Sequence, residues 1–257
     1  MAAILLFWTG AVVGSFLNVC IWRLSRGESV VAPRSYCPRC RGAFAAYDNI
    51  PILSFLWLRG RCRRCRRPIS IRYPIVEIVS GIVLWGMRQR WGWGAWFVAA
   101  YAAAAALLVV AFIDWDSFLI PDVLSLGLLA GGVLCAPVNP YFSGVWFMKI
   151  GWSLAAAAGG VLGCWAVAAL GEAVFKKEAM GGGDVKLLGA VGAWTGFLGA
   201  YDCLLVASLL GSLYGGYLLL RKRIKRQEPI PFGPFLSAGA ILNLFYLLPF
   251  GFPFFEL

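Results

Sequence analysis

The chain alternates long apolar stretches with short polar segments that hold nearly all its charges. Eight stretches, at about 3–22, 73–90, 94–113, 121–137, 146–174, 186–200, 203–220 and 233–254, come near or reach the roughly 20 residues that a helix needs to cross a bilayer. Backbone polar groups in lipid must pair within their own segment, so these stretches are expected to be helices. The sixth is the shortest and contains glycine. The first has no basic segment before it and runs straight into "GSFLNVCIWRL", so it is expected to stay as a helix and not be cleaved as a signal peptide. The pattern predicts an all-α polytopic membrane protein of about eight transmembrane helices. A first helix at 1–22 leads to a basic loop domain at 23–72 and a membrane core at 73–257.

Composition agrees with that pattern. Of the 257 residues, 61% are hydrophobic and 14% charged, whereas a soluble domain is closer to half apolar. The net charge of +11 is unevenly spread. If the loop after the first span is cytosolic and sides alternate from there, cytosolic segments hold 20 of the 23 basic residues. The far side holds only Arg88, Arg90 and Lys149. The positive-inside rule then puts both termini outside and the loop domain in the cytosol. The basic excess is read as orientation and attraction to anionic lipid headgroups, not as a nucleic-acid surface.

The loop domain carries "CPRC" and "CRRC", separated by 21 residues. Two such pairs can offer four thiolates to one tetrahedral ion, and a cytosolic location disfavours disulfides. Cys37, Cys40, Cys62 and Cys65 therefore read as a structural Zn²⁺ site, with reduced thiols or a redox pair as the alternative. Cys20, Cys135, Cys164 and Cys203 stand alone in apolar stretches and read as small packing residues.

The chain contains no histidine, which excludes Ser-His and Cys-His nucleophilic sites and HExxH zinc chemistry. Acids near membrane depth are costly, so each raises a functional question. Two clusters fall at the same expected depth on the same face. One is "FIDWDSFLIPD", with Asp114, Asp116 and Asp122; the other is "EAMGGGDVKLL", with Glu178 and Asp184. Two carboxylates in one partly desolvated site cannot both ionise easily. One then activates a water while the protonated one donates to a peptide carbonyl, as in an aspartic protease. The bland readings stay open: interfacial solvation or helix capping for Asp116 and Asp122, an N-cap for Asp184, a solvated loop acid for Glu178. The glycines around Gly181 and Gly183 would let an extended substrate backbone come close. They do not form a phosphate loop, because G-x-x-x-x-G-K-[ST] is absent. A cation-coupled transporter would instead place acids at the midplane and show repeated halves. A non-enzymatic assembly factor would account for the cysteine loop but not for the acids.

Taken in order, "GSFLNVCIWRL", "RSYCPRC", "YDNIPILSF", "LRGRCRRC", "RYPIVE", "IDWDSFLIPD", "AMGGGDVKLL" and "PFGPFLSAGA" cover most of the chain. With these motifs the chain resembles the bacterial type IV prepilin peptidases (leader peptidase and N-methyltransferase), members of the GxGD aspartyl protease group. It departs from the expected pattern at Ser25, where a proline is the usual residue. The resemblance implies that Asp114, which opens a D-(x)₇-D stretch ending at Asp122, and Asp184 of GxGD are catalytic. It implies cleavage of type IV prepilins and type II secretion pseudopilins after a glycine, at the cytosolic face of the bacterial inner membrane. It also implies methylation of the new N-terminus with S-adenosylmethionine; a peptidase-only enzyme is the alternative. No dinucleotide-type glycine turn marks that cofactor's site. The candidates are Asp48 of "YDNIP", Glu77, which could equally be an interfacial acid paired with Arg72, and Gly60, which could equally be a turn leading into the metal knuckle.

Overall fold

The computed structural model describes residues 1–32, 35–37, 39–176, 180–223 and 228–246. Among them every extended element is helical, and the β-structure consists of two isolated bridges. The chain divides into two compact units, Met1–Trp93 and Gly94–Leu257.

The first unit is built on α1 (Ala2–Leu24) and α3 (Arg72–Trp91), which pack along each other. Small residues set how closely they approach. A Cβ at Gly10 would lie 2.7 Å from the Gly81 Cα, and one at Gly14 would lie 2.7 Å from the Glu77 Cα. Gly10 and Gly14 form a G-x-x-x-G pair, the spacing that brings helix backbones together in lipid. The gap is sealed by polar contacts. The Ser80 hydroxyl donates to the Gly10 carbonyl at 2.7 Å, and the Asn18 amide donates to the Tyr73 carbonyl at 3.1 Å. Between these helices the loop domain forms a 3-10 turn at Ala46–Asn49 and the short helix α2 (Leu53–Trp57).

The second unit contains α4 (Ala95–Ser117), α5 (Asp122–Cys135), α6 (Trp146–Phe175), α7 (Gly182–Leu220) and α8 (Gly233–Phe245). Helix α7 is central and packs on α5, α6 and α8. Glycines again permit the contact. A Cβ at Gly160 would lie 2.7 Å from the Leu188 carbonyl oxygen, and one at Gly132 would lie 2.7 Å from the Ala193 Cβ. Hydrogen bonds fix the register: Ser153 Oγ donates to the Ala193 carbonyl at 2.9 Å, and the Trp194 indole donates to the Leu128 carbonyl at 2.8 Å.

Four of the described helices, α1, α4, α6 and α7, are long and apolar enough to cross a membrane, and α5 and α8 are shorter apolar helices. The chain is a multi-pass membrane protein. The outcome differs from the eight expected stretches in three ways. Helix α3 has the length of a span but carries Arg72, Glu77, Arg88 and Arg90, which keep it below the apolarity of the other four. The sixth and seventh stretches are two helical segments, together α7, that meet at a kink at Gly196 (φ 77°, ψ −175°) and not at the expected 201–202. At 1.5 Å per residue α7 would run about 58 Å if straight, nearly twice a hydrocarbon core, so this break is where it must turn. The last stretch, expected to reach residue 254, is helical only to Phe245, and 247–257 lie outside the described residues.

Candidate active site

Asp114 lies in the last turn of α4. That helix ends when Phe118 adopts the left-handed conformation (φ 56°), its N–H donating to the Asp114 carbonyl at 2.9 Å. The Asp114 side chain is held from α8. The Gly233 N–H, at the first residue of that helix, donates to Asp114 Oδ2 at 2.9 Å. A carboxylate there satisfies one of the free amides of a helix start and faces the positive end of its dipole. The fit admits no side chain, because a Cβ at Gly233 would lie 2.8 Å from Asp114 Oδ2 and 2.9 Å from its Cγ. Sequence reasoning missed Gly233 as a site residue. The available signal was its place in "PFGP", a glycine where a helix begins.

Asp184 is the third residue of α7, whose N-cap is Gly181. From that position an acid reaches back towards the amide of the capping residue, and the Gly181 N–H acts on this carboxylate. Asp184 is therefore not itself the N-cap that the sequence allowed, and no side-chain cap bond forms at this helix start. Asp184 Oδ1 is buried and has no hydrogen-bond partner among the described residues. The two carboxylates, 70 positions apart in the chain, are close enough for the Asp114 charge to act on Asp184. Such a pair favours one shared proton over two charges, which equips it for simultaneous acid and base work.

The three glycines divide the labour. A Cβ at Gly183 would lie 3.0 Å from the Ile120 Cβ, so this glycine lets the α4–α5 linker press against the start of α7. A Cβ at Gly181 would lie 3.3 Å from Asp184 Oδ2, while Gly182 has nothing within 4 Å. The open position is therefore Gly182, between the two singled out from the sequence. Asp122 does not cap α5, whose N-cap is Pro121, and makes no side-chain cap bond. It pairs instead with Lys186 of α7, Oδ1 to Nζ at 2.6 Å, an ion pair worth about 0.2–1 kcal/mol where both groups are partly exposed. Its role is to tie α5 to the first turn and a half of α7. Asp116 is exposed, and Glu178 lies outside the described residues.

In the first unit the two CxxC segments fold alike. Bridges pair Tyr36 with Ala43 and Arg61 with Pro68. The Cys37 N–H donates to the Gly42 carbonyl at 3.0 Å, and the Cys62 N–H donates to the Arg67 carbonyl at 2.9 Å. Arg41 and Arg66 close the two turns at φ 54° and 58°. This is one knuckle made twice, 25 residues apart. Its four sulfurs all lie within 4.8 Å of one another, with Cys37 and Cys65 Sγ 3.9 Å apart. Sulfurs bound at about 2.3 Å to a tetrahedral zinc stand about 3.8 Å apart, so the set fits that ion. The Cys65 backbone N–H, with that of Arg64, pulls the Cys62 thiol down to about 7. At Cys65 the Arg67 N–H pulls downwards too, but desolvation and the sulfurs of Cys62, Cys40 and Cys37 prevail and hold it at about 11.

The three residues considered for S-adenosylmethionine are each engaged by the chain itself. Asp48 takes Arg63 in a forked ion pair, with Nη2 at 2.8 Å and Nε at 2.9 Å. Glu77 Oε2 accepts the Ile52 N–H at 2.7 Å. Gly60 (φ 66°) accepts the Ile69 N–H at 2.7 Å beneath the second knuckle, and a Cβ there would lie 3.0 Å from the Phe55 ring.

Comparison with known proteins agrees with both units. Residues 8–91 match the family model described as Bacterial Peptidase A24 N-terminal domain, and residues 101–216 match the Type IV leader peptidase family. A prepilin leader peptidase/N-methyltransferase of Burkholderia pseudomallei is 38% identical over 94% of this chain and 84% of its own. One of Aeromonas salmonicida is 36% identical over 94% and 90%. One of Myxococcus xanthus is 41% identical over 85% and 63%. No solved structure is significantly similar. With the acid pair in one unit, the paired knuckles in the other and relatives matched along nearly the whole chain, this protein belongs to the type IV leader peptidase family.

Proposed function

We propose that the protein is a prepilin leader peptidase and N-methyltransferase of the bacterial inner membrane. It acts on the precursors of type IV pilins and type II secretion pseudopilins. The observation that carries the peptidase half is that Asp114 and Asp184 both stand at helix ends, with the Asp114 charge acting on Asp184. With one proton between them, the ionised carboxylate takes a proton from an attacking water while the protonated one donates to the scissile carbonyl oxygen. The Gly233 N–H keeps Asp114 aimed at the shared site, and Gly182 leaves room for an extended leader backbone. The distribution of basic residues supports a site facing the cytosol, where a basic leader would stay.

The methyltransferase half is supported by the names of the relatives, and S-adenosylmethionine would supply the methyl group. Purified protein incubated with a pilin precursor, with and without S-adenosylmethionine, tests both halves by mass spectrometry. The expected result is loss of the leader in either case and gain of one methyl group only with the cofactor. An intact precursor would overturn the peptidase reading, and cleavage without methylation would leave a peptidase alone.

The four knuckle sulfurs support a structural Zn²⁺, which a full thiolate set closes to chemistry. Below about pH 7 zinc must also displace the Cys62 proton; above it Cys62 is already ionised. Zinc affinity is therefore expected to fall as pH falls, with the slope of its logarithm steepening by about one proton per ion below pH 7. Competition with a chromophoric chelator across pH 6–8 measures this, and an unchanged slope would show that Cys62 carries no special weight.

A further inference from the structure

The segment from Ile50 to Trp57 combines a strained turn with exposed apolar side chains. Ile52 stands at φ 60°, ψ −52°, a conformation that a β-branched residue adopts only at a cost. The turn is closed by the Leu53 N–H donating to the Pro51 carbonyl, which leaves the Ile52 N–H to donate to Glu77 Oε2 at 2.7 Å. Glu77 packs against Gly14, ten residues before the end of α1 at Leu24. At 1.5 Å per residue this is about 15 Å inside the end of a membrane-crossing helix. The strained turn therefore fastens the start of α2 to α3 beside the apolar stretch of α1.

There the segment presents apolar side chains outward. Leu53 is 50% exposed, Leu56 64% and Trp57 84%. A helix of five residues has no stability of its own in water. Exposed arginines follow at once, among them Arg59, Arg61, Arg64, Arg66 and Arg67. An apolar edge ending in tryptophan beside a cluster of arginines is the chemistry of a membrane interface: tryptophan settles at headgroup level and arginine attracts anionic lipid.

We propose that Ile50–Trp57 is inserted in the lipid leaflet beside α1 and α3, with its apolar side chains among acyl chains and the arginines that follow at anionic headgroups. The segment thereby anchors the tetracysteine loop to the membrane from which it emerges. The placement depends on α1 crossing the bilayer and not on the catalytic reading above, so either can fail without the other.

The test uses the full-length protein in nanodiscs of phosphatidylcholine with and without phosphatidylglycerol. Photoreactive benzoylphenylalanine replaces Trp57, and the products of irradiation are weighed. The expected result is a lipid adduct whose yield falls at least about fivefold when phosphatidylglycerol is left out. Absence of lipid adduct overturns the proposal. So do adducts to another part of this chain, to a second copy or to an added pilin precursor. An equal yield in both lipids overturns the arginine–headgroup contact. A second measurement needs no photoprobe: with brominated acyl chains, wild-type fluorescence is expected to be quenched more strongly than that of Trp57→Phe, and equal quenching counts against insertion.

Discussion

Asp184→Asn protein is expected to leave a pilin precursor essentially uncut, with cleavage slowed by about 10²–10⁴-fold, the range for removal of a positioned acid–base group. The amide keeps the shape of the carboxyl but can neither take a proton from water nor surrender one to a carbonyl. Asp114→Asn should fail to a similar degree, and the double variant should be little worse than either single one, because the pair works as a unit. Asp122→Asn provides the contrast. It loses an exposed pairing with Lys186 and should keep most of its activity. The rates are read by the gel shift of a purified precursor at saturating enzyme. Cleavage by Asp184→Asn within about tenfold of wild type would remove this residue from the chemistry.

Gly233→Ala is the second large effect. The added methyl would sit 2.8 Å from Asp114 Oδ2, closer than real Cβ atoms approach, so the carboxylate or the start of α8 must move. A displacement of about 1 Å at a reacting group can cost about a hundredfold, and that fall in kcat is expected here while KM changes little. The substitution leaves the backbone N–H in place, so the loss would report geometry and not a missing donor. Two readouts separate this from general damage: zinc content in the other unit should be unchanged, and thermal unfolding should shift by only a few degrees. A Gly233→Ala protein that cleaves at the wild-type rate would show that α8 does not set the position of Asp114.

How much of this was legible in the sequence follows from which atoms do the work. The knuckles were legible because metal ligands are side chains at fixed spacing, and both CxxC turns recur in the structure with the same hydrogen bonds. The two acids stood out because charge in an apolar chain is conspicuous, and in the structure the Asp114 charge acts on Asp184. Gly233 did not, because its contribution is a backbone amide, which every residue but proline possesses. The turn at Ile52 was hidden for the same reason: nothing in "NIPILSF" announces that an isoleucine will take a positive φ. Hydropathy placed a boundary between the sixth and seventh stretches at 201–202, whereas the chain breaks at Gly196, the residue whose missing side chain permits φ 77°. The glycines of "GGGD" were read as space for a substrate, yet Gly183 is occupied by the chain's own Ile120, a packing partner that only the tertiary fold supplies.

The duplicated knuckle has a consequence for the chain between its halves. A zinc ion held by both would close residues 41–61 into a ring, and that ring contains the 3-10 turn, the strained Ile52 and all of α2. Pinning the two ends of about twenty residues removes roughly 3 kcal/mol of chain entropy from the open state. That is enough to offset the local strain at Ile52, typically about 1–3 kcal/mol. Chelation would then be felt first not at the sulfurs but at α2, as a gain in hydrogen exchange at amides five to nine residues before Cys62.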